Sequence, residues 1–450
     1  MSADFAAAFR AAQEQFETSA PEFSDDALAL LFSNRHHGQL LHVPEWGHWL
    51  RWDGARWARD TTLAVFDLAR VICREAARDA GEDAAPKIAS AQKVAAVERL
   101  ARSDRRHARE AWGFDADHWS LNTPAGVVDL RTGKVRDHRR DDLFTKVTAT
   151  APAGDCPRWL EFLHQITQGD EDVIAYLQRW VGYMLTGETR EHAFLFVYGP
   201  GGNGKGVLLN TVAAMLGDYA ATAPMETFMA SQHDRHPTDL AGMRGARLVL
   251  AQETEAGRVL AEGRIKSLTG GDKISARFMR ADFFEFVPAF KLVMVGNHRP
   301  VIRNPDDAMR RRLHLLRLTF RPTKPDQELP NRLRAELPGI LRWAVEGCMA
   351  WQREGLRMPD AVRRATDEYF AEQDLISQWV AERCEAVPSA TTPSSAAFRD
   401  WKSWAERRGE FAGSNKTFSA DLEKHFARAK GRDGNVFRGV RLRPGDSGVW

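Results

Sequence analysis

The sequence predicts an α/β protein with three parts: an α/β N-terminal region, a phosphate-loop core on a parallel sheet, and a C-terminal winged-helix-like module. Three observations carry this prediction. Phe194–Tyr198 is a short, unbroken apolar run that feeds a glycine-rich loop and then an apolar-periodic helix, the order strand, loop, helix that a phosphate loop needs. Similar apolar runs recur at 247–251 and 291–295, with helical patterns between them, as parallel strands buried on both faces require. Beyond residue 398, two apolar-periodic helices precede a short alternating strand on a basic background.

Composition narrows the class. At about 100–200 residues per domain, 450 residues imply several domains with a large core. The balance of 63 Lys+Arg against 61 Asp+Glu leaves +2, so any attraction for nucleic acid must come from local patches rather than a global field. Cys73, Cys156, Cys348 and Cys384 lie far apart, which argues against a zinc ribbon or a disulfide framework and fits a reducing compartment. No run approaches the ~18 apolar residues of a membrane span, so no membrane partner is expected. The first residues, with Asp4 and Arg10 inside their apolar stretch, do not read as a signal peptide. The expected location is the cytoplasm.

Taken in order, residues 1–22 read as an Ala-rich tail and 23–152 as the N-terminal α/β region. Within it, Trp46, Trp49, Trp52 and Trp57 alternate with polar residues around Asp53-Gly54, the pattern of a hairpin with a tight turn. Core packing of a small β unit suits these tryptophans better than stacking on single-stranded bases. Residues 62–112 read as helical, and LNTPAGVVDLRTGKV (121–135) as short strands. A helical collar is expected over 153–190, the phosphate-loop core over 191–325, and a helical segment over 326–385. The polar stretch AVPSATTPSSAA (386–397) reads as a linker before the final module at 398–450.

The chemistry concentrates in the core. Gly199, Pro200, Gly201, Gly202, Asn203, Gly204, Lys205 and Gly206 follow the first apolar run. Glycines allow successive backbone N–H groups to turn inward around phosphate oxygens, the helix N-terminus adds partial positive charge, and the lysine reaches the β- and γ-phosphates. The bland alternative, an ordinary glycine turn, does not account for both the GxxxxGK spacing and the flanking elements. Position 206 departs from the pattern, because Gly replaces the Ser or Thr whose hydroxyl helps hold Mg²⁺. The second apolar run ends in Gln252, Glu253, Thr254 and Glu255. Beside a phosphate loop such acids activate water and hold metal; elsewhere they would be a solvated strand end. Glu253 falls where the water-activating carboxylate sits and Gln252 where a metal-side acid would be, so Glu255 is a candidate to share the metal role, and the spacing leaves the division of work between Glu253 and Glu255 open. Asn297, just past the third run, can orient the attacking water. Arg310, Arg311 and Arg312 precede another strand. They are either a solvated face or the source of a finger for a neighbouring chain's γ-phosphate.

These motifs, in this order, resemble a superfamily 3 helicase of the AAA+ class, and most closely the C-terminal part of phage and plasmid primase–helicases, including the poxvirus type. The matching text is FVYGPGGNGKG, RLVLAQETEAGR, SLTGGDKISAR, KLVMVGNHRP and RRRLHLL, with WLRWDGARWARD, LNTPAGVVDL and CPRWLEFL ahead of it. The resemblance implies an AAA+-like ATPase core that binds ATP with Mg²⁺. It implies catalytic roles for Lys205, Glu253, Glu255 and Asn297, with an arginine finger at Arg311 or Arg312. It also implies a homo-oligomeric ring, commonly a hexamer, that moves along single-stranded or forked DNA. The central hairpin of such rings falls on 274–284, where Arg277, Phe278 and Arg280 put basic and aromatic side chains close together, as tracking a phosphate backbone needs. An edge hairpin with core phenylalanines is the plainer reading. The fused primase–polymerase domain of such proteins has no room here, so primer synthesis is expected from a separate primase or polymerase.

Over 396–450 twelve Lys and Arg stand against seven Asp and Glu, a local excess that favours phosphate contacts. Lys416, Lys424, Arg428 and Lys430 are the candidates to line a recognition helix. A protein-docking surface is the competing reading. For the whole chain, an ATP-dependent replicative DNA helicase is the first expectation. A DNA-binding switch or loader that hydrolyses ATP poorly is the second, motivated by Gly206 and Gln252.

Overall fold

A computed structural model describes residues 20–231, 238–252, 258–279, 282–302, 306–410, 412–432 and 434–443. Its N-terminal part opens with helix Asp25–Arg35, capped by the Ser24 hydroxyl accepting from the Ala27 amide. A three-stranded antiparallel sheet follows, formed by β1 (Leu40–Val43), β2 (His48–Trp52) and β3 (Trp57–Arg59). The expected tryptophan hairpin is β2–β3, pairing Trp52 with Trp57, and Asp53 accepts amide hydrogens from Ala55 and Arg56 across its turn. Trp49 and Trp57 are buried, and Trp46 and Trp52 pack partly buried beside them, so this cluster is core. Helices Ala64–Asp79 and Ala91–Ala101 pack with helix Asp25–Arg35 around Phe32 and Ile72. A second small sheet comprises β4 (Ser120–Thr123), β5 (Gly126–Asp129) and β6 (Val135–Arg136).

Helices Pro157–Thr167 and Glu171–Met184 lead into the core sheet. That sheet is parallel throughout and comprises β7 (Phe194–Tyr198), β8 (Ala220–Pro224), β9 (Leu248–Gln252), β12 (Lys291–Gly296) and β13 (Leu313–Arg317), in the order β13-β7-β12-β9-β8. Four of its strands, β7, β9, β12 and β13, are buried along almost their whole length, because apolar clusters cover both faces, while β8 at the edge is only partly buried. A two-stranded hairpin, β10 (Ile274–Ala276) with β11 (Phe284–Phe286), projects between β9 and β12 in the chain.

Two fully buried cations tie the parts together. Arg247 donates to the carbonyls of Leu185, Asp117 (3.2 Å) and Ser120 (2.6 Å) and stacks over Tyr219. Lys291 donates to the carbonyls of Thr186, Glu188 (3.3 Å) and Ala289 (3.3 Å). Burial, with Arg247 nearby, holds its ammonium well below the usual lysine range. The N-terminal region, the collar helices and the core sheet therefore share polar anchors as well as an apolar core.

Helices Leu329–Ala335, Leu337–Glu354 and Asp360–Gln373 follow. The last part runs helix Leu375–Arg383, β14 (Cys384–Pro393), helix Ser394–Arg407, helix Asn415–Leu422, then the hairpin of β15 (Arg428–Gly431) and β16 (Gly434–Leu442). Here the structure corrects the sequence reading. The stretch expected as a linker is β14, paired with β16, because Thr392 and Cys384 are buried against the Trp379–Trp401–Phe418 core. Polar composition misled, since the strand lies at a sheet edge with its other side chains in solvent. All four cysteines are buried and free.

Candidate functional site

The core site forms at the carboxyl edge of the parallel sheet, where open α/β sheets present ligand-binding loops. The run Phe194–Tyr198 is apolar and β-forming, so it buries as β7 between β13 and β12. Helix Lys205–Leu216 begins directly after Gly204. Glycine is required at three points of the connection. Gly199, Gly202 and Gly204 hold φ of +143°, +77° and +87°, conformations that a Cβ disfavours. A Cβ at Gly199 would also meet the Leu318 carbonyl oxygen at 1.9 Å, and one at Gly204 would meet Ile166 at 2.7 Å. Pro200, Gly201 and Gly202 are exposed, and Asn203 is buried.

Lys205 is buried, and its ammonium donates to the carbonyls of Gly199 (2.7 Å) and Pro200 (3.1 Å) and to Asn203 Oδ1 (3.0 Å). A fourth contact, at 3.4 Å, reaches Asn297 Oδ1. Residues ninety-two apart in sequence thus meet at one point. Asn297 gets there because Gly296, at the end of β12, pairs with Tyr198 at the end of β7. Burial, and then the positive charge of Arg321, lowers the Lys205 pKa from its usual value. Asn203 also donates from Nδ2 to the Leu318 carbonyl at 2.5 Å, locking the loop to the chain leaving β13. Gly206 is exposed, and a Cβ there would meet nothing within 4 Å.

Gln252 ends β9 beside Val295 of β12 and is exposed. Glu253 and Glu255 lie outside the described residues. Among the described residues no group of three or more His, Cys, Asp or Glu is suited to hold a metal ion.

Arg311 and Arg312 are not brought to Lys205 of their own chain. They close helix Asp307–Arg312, which runs into the amino end of β13. Because Leu313 pairs with Phe194 and Arg317 with Tyr198, the arginines lie at the sheet edge opposite the glycine-rich loop. The strand's length, ~3.3 Å per residue, separates the two. Arg311 is exposed, Arg312 donates to the Ala308 carbonyl, and Arg310 lies 3.5 Å from Asp367.

Sequence reading missed two cations that the fold brings to the loop. Arg321 bears on Lys205, and only its position four residues past β13 could have signalled this. Arg299 lies against Tyr198 and Tyr369 and pairs with Glu372 at 2.5 Å. With Asn297 it lines a cavity of about 380 Å³.

The hairpin β10–β11 carries a second candidate surface. Phe278, Met279 and Phe283 are 50, 74 and 59% exposed, so these side chains are not core. Arg277 stacks on Phe283 at 4.8 Å, while Arg280 lies outside the described residues. Next to the hairpin's connecting loop, where Phe284 pairs with Ala276, Arg244 sits between Phe284 and Trp46 of the N-terminal region.

In the last part, only Lys416 of the expected basic set lies on helix Asn415–Leu422. Lys424 falls in the turn after it and pairs with Asp421 at 2.9 Å. Arg428 and Lys430 lie on β15. The recognition-helix reading overran because the chain turns at 423–425 to enter the hairpin.

Comparison with known proteins adds two partial family matches. Residues 27–168 match the family described as "D5 N terminal like", and residues 197–312 match a family of unknown function, DUF5906. The chain is 28% identical over 220 residues to an Acanthamoeba polyphaga mimivirus protein named "Putative helicase", covering 45% of this chain and 22% of that protein. It is 27% identical over 259 residues to a Frog virus 3 protein of the same designation, covering 52% and 27%. The chain thus spans about a quarter of the length of these viral relatives. Among solved structures, the apo C-terminal region of NrS-1 aligns with a TM-score of 0.50 at 10% identity, over 90% of this chain and 97% of that one, a likeness of fold. The chain is therefore an α/β protein with a parallel five-stranded sheet, similar in sequence to viral proteins named as helicases.

Proposed function

We propose that this chain is an ATP-dependent DNA helicase of a phage, prophage, satellite or plasmid, with a superfamily 3 AAA+ core that acts in replication. The observation that carries the reading is the meeting of the Lys205 ammonium, the glycine loop and Asn297 at the carboxyl edge of the sheet. In this reading the loop amides and Lys205 bind the β- and γ-phosphates of ATP, and displacing the ammonium from its loop carbonyls readies it for them. Asn297 positions the attacking water and Glu253 takes its proton. Arg321 adds positive charge from the same chain. An arginine of the 310–312 triplet comes from an adjoining copy, which its position at the far sheet edge favours. Magnesium, when bound with the nucleotide, would screen phosphate charge. Gly206 offers it no oxygen, and the Gln252 amide only a neutral one, which leaves Glu253 and Glu255 as its protein partners.

Hydrolysis in this reading moves the β10–β11 hairpins of a ring, commonly hexameric, along one strand in the host cytoplasm, with a primase or polymerase as a partner. The winged-helix-like part at 398–450 anchors DNA. Lys205→Ala should reduce DNA-stimulated ATPase at least a hundredfold in a steady-state assay while leaving the thermal unfolding midpoint within a few degrees; retained turnover would remove Lys205 from the site.

A second reading, a nucleotide-dependent DNA switch or loader with slow hydrolysis, is favoured by Gly206 and Gln252. Strand displacement on forked DNA with ATP and Mg²⁺ separates the two. Its absence, with nucleotide-dependent DNA binding intact, selects the switch.

A further inference from the structure

Between helix Asn415–Leu422 and the hairpin β15–β16 lies a cavity of about 530 Å³. Its described lining includes three cations, Lys416 from the helix and Arg428 and Arg432 from the hairpin, together with Ser394, Asn415 and Asn435, and it contains no acid. Four other cations of this part are held by acids: Arg383 pairs with Asp400, Arg408 with Glu382, Lys402 with Glu406 and Lys424 with Asp421. Among the described residues Lys416, Arg428 and Arg432 have no ion pair. Three like charges gathered around one cavity repel one another, so the arrangement is relieved by an anion that enters it.

We propose that this cavity binds a backbone phosphate of double-stranded DNA, making the C-terminal part a duplex anchor distinct from the single-strand contact at the β10–β11 hairpin. The proposal rests on the nucleic-acid half of the reading above and not on ATP hydrolysis. Three features select the duplex. Single-strand binding without sequence preference relies on aromatic side chains that stack on bases. Among the described aromatic residues here, Trp379, Trp401, Trp404, Phe418 and Phe437 are buried in the core, and Phe398 and Phe426 pack partly buried against it. Among the described residues no large hydrophobic side chain of 375–443 is exposed, whereas Phe278, Met279 and Phe283 of the other hairpin are. Helix Asn415–Leu422 instead turns the polar Asn415 and Lys416 toward the cavity rim, and a helix of this kind fits a major groove. Beyond the cavity, Arg438 and Arg441 continue the positive charge along β16, a track for the phosphates that flank the bound one.

The test uses the full chain and fluorescence anisotropy with a blunt 24-base-pair duplex and a single strand of the same sequence. The triple variant Lys416→Ala, Arg428→Ala, Arg432→Ala should bind the duplex at least tenfold more weakly. The slope of log affinity against log salt should shrink by ~2–3, about one per cation removed. Single-strand affinity and single-strand-stimulated ATPase should stay within twofold of the parent. Arg432→Lys, which keeps the charge and the fold, should retain most of the duplex affinity. Lys205→Ala, inactive as an ATPase, should bind the duplex normally, so failure of the catalytic reading leaves this result intact. Unchanged duplex affinity in the triple variant overturns the proposal. So does equal loss of single-strand binding, or loss only of binding to a phosphorylated peptide or to inorganic phosphate.

Discussion

At the scale of single residues, position 206 sets the glycine-rich loop apart from the phosphate-loop pattern. A hydroxyl at this second helical position ordinarily reaches a bound metal, and glycine cannot supply it. The space for one exists, since a Cβ at Gly206 touches nothing and the backbone there is helical. Gly206→Ser should therefore fold at least as well as the parent, because glycine inside a helix costs up to ~1 kcal/mol relative to better helix formers. It should also lower the Mg²⁺ concentration for half-maximal ATPase several-fold, read from magnesium titrations at fixed ATP. An unchanged titration would mean that position 206 does not face the metal. Gly199 allows no such freedom, since a side chain there would collide with the Leu318 carbonyl.

At the scale of elements, the β10–β11 hairpin has the composition of a strand-tracking device and the exposure to act as one. Phe278→Ala with Phe283→Ala removes two of its exposed rings. With base stacking worth ~1–3 kcal/mol per base, single-strand affinity should drop at least tenfold in anisotropy titrations, with basal ATPase unchanged. Equal single-strand binding would assign the hairpin to another surface. The same elements show what can be read from a sequence. The loop and helix over Gly199–Lys205 were legible because φ requirements and phosphate chemistry fix both residue type and spacing. The tryptophan hairpin was legible from its two-residue alternation. β14 was not, because an edge strand with mostly solvated side chains looks like a linker until its partner is known. The contributions of Arg321 and Arg299 were also hidden, because nothing in local spacing says which loop arginine folds back to the sheet edge. The acids after β9 remain a matter of sequence alone.

At the scale of the whole molecule, buried polar groups join parts distant in the chain, and one of them adds to the loss of stability in acid. His314, on β13, is buried and shares a 2.7 Å hydrogen bond with Tyr176 of helix Glu171–Met184. Burial pushes its pKa down to about 4. In the unfolded chain the ring takes up a proton near pH 6.5, while the folded chain excludes it. Stability therefore falls as pH drops from ~6.5 to ~4 and changes no further below that. The window corresponds to about 3 kcal/mol for this one group. Urea unfolding at pH 7 and pH 4.5 should show the loss, and His314→Gln, costly at neutral pH, should show a shallower pH slope. An equal slope in the variant would place the acid sensitivity elsewhere.

One strand has a consequence beyond its place in the sheet. β13 starts directly after the arginine triplet and leads into Leu318, whose carbonyl oxygen is gripped by Asn203 and pressed against Gly199. The strand thus joins the arginine triplet at one end to the glycine-rich loop at the other with no loop between them, so a displacement of one end along the strand axis would be carried to the other rather than absorbed on the way.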